Sequence, residues 1–196
     1  MNIRYYFQRI QQLLSYRSFI ARYRLKSCGR FFSVSKKTRL VNLKYVSVGN
    51  NCIIDEYAEI YCNRINHDIE PSLTIGNDVH ISKHCCIGCS NSITLGDDVR
   101  LAPYCHITDR NHVYNDITIP IWKQESISPG PVFIGNHTWL GFGVQVMPNV
   151  KIGRHCVIAA GSVVTRDIPD YCVAVGMPAK IIKQYNTETK KWEKVK

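Results

Sequence analysis

The chain has 196 residues, enough for one domain with a full hydrophobic core. Hydrophobic residues make up 45% of it and charged residues 20%, which excludes a disordered chain. The net charge of +10 is uneven: residues 1–46 carry eleven Lys/Arg and no acid, residues 47–179 have a net charge of −5, and residues 180–196 one of +4. An acidic middle between basic ends argues against a nucleic-acid-binding protein.

No targeting or membrane-spanning segment is predicted. The chain lacks a run of about eighteen apolar residues, which a transmembrane helix needs. Its first stretch, MNIRYYFQRIQQLL, contains arginines and no small-residue cleavage site, unlike a signal peptide. We therefore expect a cytoplasmic protein whose nine cysteines stay reduced.

The two basic ends are predicted to lie outside the main domain. Residues 1–45 form a helical capping segment, in which arginines alternate with apolar residues at Ile3, Phe7, Ile10, Leu14, Ile20 and Tyr23. Two compatible interpretations remain open: this helix caps the exposed edge of the fold, or it lies on an anionic membrane surface. Residues 183–196 are expected to form a solvated, basic tail.

A period of six residues dominates the region 46–182. The aliphatic residues that keep this spacing are Val48, Ile54, Ile60, Ile75, Ile81, Ile87, Leu95, Leu101, Ile107, Ile134, Leu140, Val146, Ile152, Ile158 and Val164. An α-helix repeats every ~3.6 residues, so the period indicates short strands joined by turns. Pairs such as Gly49-Asn50 and Gly96-Asp97 suit such turns. We predict an all-β fold, a parallel β-helix of stacked coils.

The residue four places after most of these aliphatic positions is small or branched. Four of the nine cysteines occupy this position, namely Cys52, Cys85, Cys105 and Cys156. A thiol packs there as a small hydrophobic group. The CxxC spacing of Cys86 and Cys89 also fits the repeat, so we interpret it as structural and not as a zinc or redox motif.

Three interruptions break the period. Arg64–Ser72 leaves it, two residues are inserted before Leu95, and 27 residues separate Ile107 from Ile134. The last interruption contains three prolines, which exclude regular strands. Because an excursion of this length within a repeat array is usually functional, we predict a protruding functional loop at 109–131.

His112 is the candidate catalytic base. Other histidines lie within the regular repeats, where an outward polar side chain is expected: His80, His84, His106, His137 and His155. His112 instead sits at the mouth of the long loop, after Asp109 and Asn111, which are candidate acceptor-site residues. A histidine can deprotonate a hydroxyl near neutral pH.

Three runs of sequence carry a family resemblance: LAPYCHITDRNH at 101–112, IGNHTWLGFGVQVMPNVKIG at 134–153 and VIAAGSVVTRDIPDYCVAVGMPAK at 157–180. They resemble the hexapeptide-repeat acyltransferases with a left-handed parallel β-helix, in the group of maltose, galactoside and polysaccharide O-acetyltransferases and streptogramin acetyltransferases. The resemblance implies a homotrimer with active sites between subunits. It also implies acetyl-CoA as donor, direct transfer without an acyl-enzyme, and no required metal.

The same resemblance implies roles for individual residues. His112 would take the proton of the acceptor hydroxyl, and a backbone N–H would hold the developing oxyanion. The residues implied in acetyl-CoA binding are Trp139, Gly141, Phe142, Ala159, Ala160, Thr165, Arg166, Lys180 and Lys183. The cationic side chains among them suit the phosphates.

This chain departs from the family pattern near the expected acceptor. Arg110 stands where many members have a histidine. Ser82 and Ser90-Asn91 stand near the places where sugar-acetylating members carry Asn and Asp. The contacts to the acceptor therefore cannot be carried over from the family.

The leading hypothesis is acetyl transfer to a sugar hydroxyl of a surface polysaccharide or its precursor. The basic N-terminus favours a membrane-proximal substrate, reached by peripheral contact with the inner face of the membrane. One alternative is a streptogramin-type antibiotic acetyltransferase. Others are a metal hydratase of the γ-carbonic anhydrase type, which would use histidines such as His80, His84 and His106, and a non-catalytic scaffold.

Overall fold

Six stacked coils form a left-handed parallel β-helix, which confirms the predicted fold class. The computed structural model describes residues 16–65 and 68–195. Each coil contains three short strands. The strands of the coils are β1 (Ser27–Cys28), β2 (Ser33–Val34) and β3 (Arg39–Val41); β4 (Val46–Val48), β5 (Ile53–Ile54) and β6 (Glu59–Cys62); β7 (Ser72–Ile75), β8 (His80–Ile81) and β9 (Cys86–Cys89); β10 (Ser92–Leu95), β11 (Arg100–Leu101) and β12 (His106–Thr108); β15 (Val132–Ile134), β16 (Trp139–Leu140) and β17 (Gln145–Val146); β18 (Lys151–Ile152), β19 (Val157–Ile158) and β20 (Val163–Val164).

The first, second and third strand of every coil stack into three parallel sheets, here sheets 1, 2 and 3. Turns between the sheets form three corners that run along the β-helix. The 1–2 corner joins sheet 1 to sheet 2, the 2–3 corner joins sheet 2 to sheet 3, and the 3–1 corner leads into the next coil. Any feature of the surface can therefore be placed by its coil and its corner.

The six-residue register builds the core. Every aliphatic residue that keeps the predicted period is buried, and so is every small or branched residue four places later. Leu95 of coil 4 pairs with Ile134 of coil 5, so the long loop between these coils leaves the register unchanged. Each buried aliphatic side chain contributes about 1.5–3 kcal/mol to stability, which makes the stack of coils a rigid support for its corners.

The first coil lies upstream of its predicted start. Cys28, Val34 and Leu40 are six residues apart and belong to β1, β2 and β3, inside the segment 1–45 that was predicted to be helical. The six-residue pattern is less regular in this coil, because Phe32 fills the inward position that small residues occupy in later coils. The β-helix therefore begins at residue 27 and not at residue 46.

A short helix, α1 (Tyr16–Arg24), covers the open edge of this first coil. The Ser18 hydroxyl accepts the backbone N–H of Val34 at 3.1 Å and donates to its carbonyl oxygen at 3.4 Å. Arg22 donates to the carbonyl oxygen of Phe32 at 3.1 Å. These bonds satisfy groups that an edge strand would otherwise expose. The predicted helical residues 3–15 lie outside the described residues, and no helix in the described ranges is long and apolar enough to span a membrane.

The C-terminal end is an ordered β-hairpin, although most of its side chains from residue 183 on are exposed, as expected of a solvated end. β21 (Cys172–Gly176) continues sheet 2 beside β19, and it pairs with β22 (Ala179–Asn186), which pairs with β23 (Lys191–Lys194). β22 thus crosses the predicted boundary at residue 182. The Asn186 side chain accepts the backbone N–H groups of Glu188 and Thr189 and so closes the hairpin turn. Sheet 2 can grow here because its last parallel strand has a free edge.

Candidate active site

The arm, residues 109–131, leaves the β-helix at the 3–1 corner between coils 4 and 5. Within it β13 (Asn111–His112) pairs antiparallel with β14 (Ser126–Ile127), and a 3₁₀ turn covers Ile121–Lys123. The backbone N–H of Val113 donates to the carbonyl oxygen of Glu125 at 2.9 Å, next to this pair. The arm therefore has its own secondary structure and projects from the β-helix as a hairpin.

The side chain of His112 is exposed at the base of the arm, and so is that of Asn111. His112 lies opposite Ser126 in the arm's strand pair, which fixes its backbone. An exposed imidazole on a braced strand can accept a proton from a ligand that approaches from outside. The predicted base is thus available to a substrate.

Asp109, predicted to belong to the acceptor site, is buried at the root of the arm. Its side chain is fully buried, and its two carboxylate oxygens accept the backbone N–H groups of Ser90 at 2.7 Å and Asn91 at 2.8 Å. The hydroxyl oxygen of Ser90 is buried beside it and has no hydrogen-bond partner among the described residues. Asp109 therefore anchors the root of the arm to the preceding coil and does not face an open acceptor pocket.

The other histidines are engaged with the β-helix. His80 lies 2.9 Å from the carboxylate of Asp55, and His137 lies 3.3 Å from that of Asp98. Burial lowers the pKa of His106, which stands on sheet 3. These positions agree with the prediction that the histidines belong to the outer face of the repeat.

The 2–3 corner changes character along the β-helix. In coils 2, 3 and 4 its left-handed turn position carries Tyr57, His84 and Tyr104, whose rings stack with centroids 4.9 and 4.7 Å apart. In coils 5 and 6 the same position is Gly143, with φ 67°, and Gly161, with φ 70°. A Cβ added at either glycine would have no atom within 4 Å. The left-handed position of this corner therefore carries a ring in coils 2–4 and no side chain in coils 5–6, here called the bare corner. Beside it the ring of Phe142 contacts that of Tyr104, with centroids 5.2 Å apart.

Four of the residues predicted to bind acetyl-CoA lie at this bare corner, namely Gly141, Phe142, Ala159 and Ala160. A Cβ at Gly141 would stand 2.7 Å from the backbone nitrogen of Ala160, so the two turns can stack only because residue 141 is glycine. The backbone N–H groups of Phe142 and Ala160 donate to no acceptor in the described part of the chain. They are free donors for a carbonyl oxygen or an oxyanion.

The remaining predicted acetyl-CoA residues are more dispersed. Trp139 is half exposed on the outer face of sheet 2, between Arg100 and Val157. Lys180 and Lys183 are exposed on β22. A second exposed pair, Thr165 and Arg166, follows β20 at the 3–1 corner. In one chain the cationic side chains thus belong to two different sides of the β-helix.

The candidate residues therefore divide between two corners. His112 stands at the 3–1 corner of coils 4 and 5, whereas Gly143 and Gly161 mark the bare 2–3 corner of coils 5 and 6. Sheet 3 separates these corners. A single copy of the chain does not bring the candidate base and the bare corner together.

The cysteines lie mostly inside the β-helix. All nine are free thiols, and most are buried. Burial raises the pKa of the Cys52 thiol to about 11, so this thiol stays protonated and unreactive. Among residues 16–65 and 68–195 no three His, Cys, Asp or Glu side chains are grouped as a metal site. Cys86 and Cys89 lie in β9 as part of the repeat.

Comparisons with known proteins give a family and several structural neighbours. The model of the bacterial transferase hexapeptide (six repeats) family matches residues 131–166. A protein of Mycobacterium tuberculosis named as an acetyltransferase is 47% identical over 78 residues, which are 40% of this chain and 26% of that protein. WbbJ of Escherichia coli, named for O-acetyl transfer in lipopolysaccharide biosynthesis, is 43% identical over 94 residues, 45% of this chain and 48% of its own. These matches span about a quarter to a half of the length of the curated relatives.

Two solved structures extend the comparison over most of the chain. A maltose O-acetyltransferase from Clostridium difficile is 31% identical, with a TM-score of 0.57, and the match covers 86% of this chain and 74% of that one. AntD, an N-acyltransferase from Bacillus cereus solved with dTDP and 3-hydroxybutyryl-CoA, has a TM-score of 0.75 at 22% identity, over 91% of this chain and 92% of that one. The second likeness concerns the fold alone.

Proposed function

Because this chain belongs to the hexapeptide-repeat acyltransferase family, we propose that it is an acetyl-CoA-dependent O-acetyltransferase acting on a sugar hydroxyl of a surface polysaccharide or its precursor. The observation that carries the proposal is the bare 2–3 corner, where Gly143 and Gly161 leave open space beside free backbone donors. The relatives support the substrate class, since WbbJ is named for lipopolysaccharide O-acetyl transfer and the Clostridium difficile protein for maltose.

The bare corner suits the pantetheine arm of acetyl-CoA, a narrow chain with two amides. The free N–H groups of Phe142 and Ala160 can bind amide or thioester oxygens, and the absent side chains of Gly143 and Gly161 leave room for the chain. Lys180 and Lys183, on the strand beyond the corner, offer positive charge to the phosphates. Trp139, Thr165 and Arg166 complete the set proposed for the donor.

In the proposed reaction the Nε2 or Nδ1 atom of His112 removes the proton of the acceptor hydroxyl while that oxygen attacks the thioester carbonyl carbon. A backbone N–H at the bare corner stabilises the oxyanion of the tetrahedral intermediate. The carbon–sulfur bond then breaks, and His112 returns the proton to the leaving thiolate. The products are the acetyl ester and free CoA, with no group left on the protein.

We place this site between subunits of a homotrimer. Two observations support that assembly: the candidate residues divide between two corners, and the arm exposes large apolar side chains. Ile117 is 97% exposed, Trp122 74% and Tyr114 70%, which is unusual for side chains that stay in water. An arm laid against a second copy would cover them and carry His112 to the partner's bare corner.

Mixed oligomers test this arrangement. His112→Ala lacks the base, and Gly161→Tyr fills the bare corner, so each variant alone is expected to be inactive. Random co-assembly of equal amounts should restore about a quarter of the wild-type activity, because one site in four then combines an intact arm with an intact corner. Absence of any recovery in a folded mixed oligomer would contradict a shared site.

We also propose a cytoplasmic protein that touches the inner face of the membrane through α1. Phe19, Ile20 and Tyr23 are exposed on this helix, on the side away from the β-helix, and basic residues surround them. Sedimentation with phosphatidylglycerol vesicles should retain the wild type and lose the double variant Phe19→Ser, Tyr23→Ser. The control Trp192→Ser removes an exposed aromatic from the opposite end and should bind as the wild type does.

Thermal unfolding with acetyl-CoA tests the proposed donor. At a hundred times its dissociation constant a ligand adds about 2.7 kcal/mol, which raises the Tm of a protein of this size by about 5–10 °C. Release of free thiol in the presence of a sugar panel then tests the acceptor class. Stabilisation by zinc and not by acetyl-CoA would contradict the proposal.

A further inference from the structure

The contacts of Arg110 concern the acceptor and not the donor. We infer that Arg110, held on the ring of Tyr61, binds an anionic group of the acceptor, so that the substrate is a sugar bearing a carboxylate or a phosphate. The inference rests on the proposed function and deepens it by naming the chemical class of the acceptor.

Tyr61 reaches the root of the arm by lying across a glycine. It stands on the outer face of sheet 3 in coil 2, in line with Gly88 of coil 3 and Thr108 of coil 4. A Cβ added at Gly88 would be 2.5–2.7 Å from three atoms of the Tyr61 side chain, so the ring covers Gly88 directly. Neighbouring strands are ~4.8 Å apart, and the ring therefore spans the intervening coil towards Thr108 and the arm.

Arg110 is fixed above that ring. Its guanidinium carbon lies 6.0 Å from the centroid of Tyr61, within the range of a cation–π contact. Burial raises the pKa of the Tyr61 phenol, so a neutral ring faces the cation. The backbone leading to Arg110 is braced, because Asp109 is anchored to coil 3 and the Arg110 N–H donates to the Thr108 hydroxyl at 3.2 Å.

The positive charge of Arg110 is not neutralised within the described part of the chain. Its guanidinium forms no ion pair there. Two carboxylates close in sequence to Arg110 or to Tyr61 are already engaged: both oxygens of Asp109 bind backbone N–H groups, and Glu59 pairs with Arg39 at 3.4 Å. A half-buried guanidinium without a carboxylate is prepared to bind an outside anion, and its planar fork suits a carboxylate or a phosphate.

The position of Arg110 relates this charge to the proposed chemistry. Arg110 precedes His112 by two residues, so their Cα atoms are at most about 7 Å apart. An anion on Arg110 would then hold a neighbouring hydroxyl of the same sugar ring near the imidazole. Arg110 is thus a specificity-determining residue, and Tyr61 is a positioning residue that acts through it.

The test compares sugars that carry an anionic group with one that does not. With acetyl-CoA as donor, kcat/KM is measured by thiol release for methyl glucoside, methyl glucuronide and glucose 1-phosphate. We expect the wild type to prefer one of the charged sugars by about 10- to 100-fold, the range of one charge-assisted contact. Arg110→Gln should bring the ratio of charged to neutral close to one. Comparison of methyl glucuronide with glucose 1-phosphate shows whether Arg110 binds a carboxylate or a phosphate.

Matched variants separate this role from a structural one. Arg39→Gln removes the same charge from sheet 3, on the strand next to that of Tyr61, and should keep the preference. Tyr61→Phe keeps the ring and should keep the preference, whereas Tyr61→Ala frees Arg110 and should lose it. A wild type without preference, or an Arg110→Gln variant that retains it, would overturn the inference while the acetyltransferase stands.

A binding measurement decides the matter even without turnover. The protein is titrated in a calorimeter with glucose 1-phosphate and with methyl glucuronide, in the wild type and in Arg110→Gln. Binding that Arg110→Gln weakens at least 10-fold supports the inference, and absent or equal binding overturns it. Failure of the proposed function itself would be seen separately, as the absence of any stabilisation by acetyl-CoA.

Discussion

The two halves of the 2–3 corner share one backbone geometry but differ in their side chains: the turn position is aromatic in coils 2–4 and glycine in coils 5–6. Tyr57, His84 and Tyr104 turn the chain in coils 2–4 with φ of 62°, 58° and 65°, and Gly143 and Gly161 do so in coils 5–6 with φ of 67° and 70°. A left-handed turn costs any residue except glycine about 1–2 kcal/mol. In the first half ring stacking offsets that cost. In the second half the cost is absent, and the turn position itself carries no side chain.

In this repeat fold the proposed donor site lies where the turns carry no side chain. In the filled half the rings pack against each other over the turns. The bare half exposes turn N–H groups along the edge of two coils. Changes in the filled half should therefore alter stability, and changes in the bare half or the arm should alter binding or chemistry.

The largest effect is expected from His112→Ala, which separates chemistry from binding. Loss of a general base lowers kcat by about 10²- to 10⁴-fold. Stabilisation by acetyl-CoA should be unchanged, since the bare corner is intact. Steady-state thiol release and thermal unfolding measure the two properties. Loss of both together would mean that His112 supports the donor site and is not the base.

A smaller effect is expected when the root of the arm is loosened. Asp109→Ala leaves the N–H groups of Ser90 and Asn91 without their acceptor, which costs about 1–3 kcal/mol of unfolding free energy. The thiol-release rate should fall as well, because the arm carries His112. Denaturant unfolding at fixed protein concentration checks the first effect. Unchanged stability would show that Asp109 is not the anchor.

The smallest effect is expected in the filled half. Tyr104→Ala removes the ring that stacks on His84 and lies 5.2 Å from Phe142. Loss of one stacked ring lowers the unfolding free energy by about 0.5–1.5 kcal/mol. The dissociation constant of acetyl-CoA, measured by calorimetry, should change less than about threefold, which corresponds to less than one charge-assisted contact. A larger loss of affinity would extend the donor site into coil 4.

The sequence period predicted the core of coils 2–6 because a six-residue repeat depends on local spacing alone. Coil 1 was missed since Phe32 occupies an inward position that is small elsewhere. The terminal hairpin was not predicted because its strands do not keep that period. At both ends of the β-helix the chain covers an exposed strand edge, and the six-residue repeat does not predict how it does so.

The sequence locates residues of the proposed site where they belong to a motif, and not where they meet through the stacking of coils. His112 and the turn at Gly141 could be located in the sequence. The contact of Tyr61 with Arg110 could not, because these residues are 49 positions apart and meet only through the register of three coils. The buried position of Asp109 likewise depends on two backbone N–H groups of the preceding coil, which no spacing reveals.

The most direct test of the central claim is to continue the ring ladder into the bare half. Gly161→Tyr gives coil 6 the residue that Tyr57 and Tyr104 already provide at the same φ. His155→Tyr is the matched control, in the same coil and also left-handed with φ 54°, but at the 1–2 corner. Tm is measured with and without saturating acetyl-CoA. We predict the full shift of about 5–10 °C for His155→Tyr and none for Gly161→Tyr, whereas an equal shift in both variants would contradict a donor site at the bare corner.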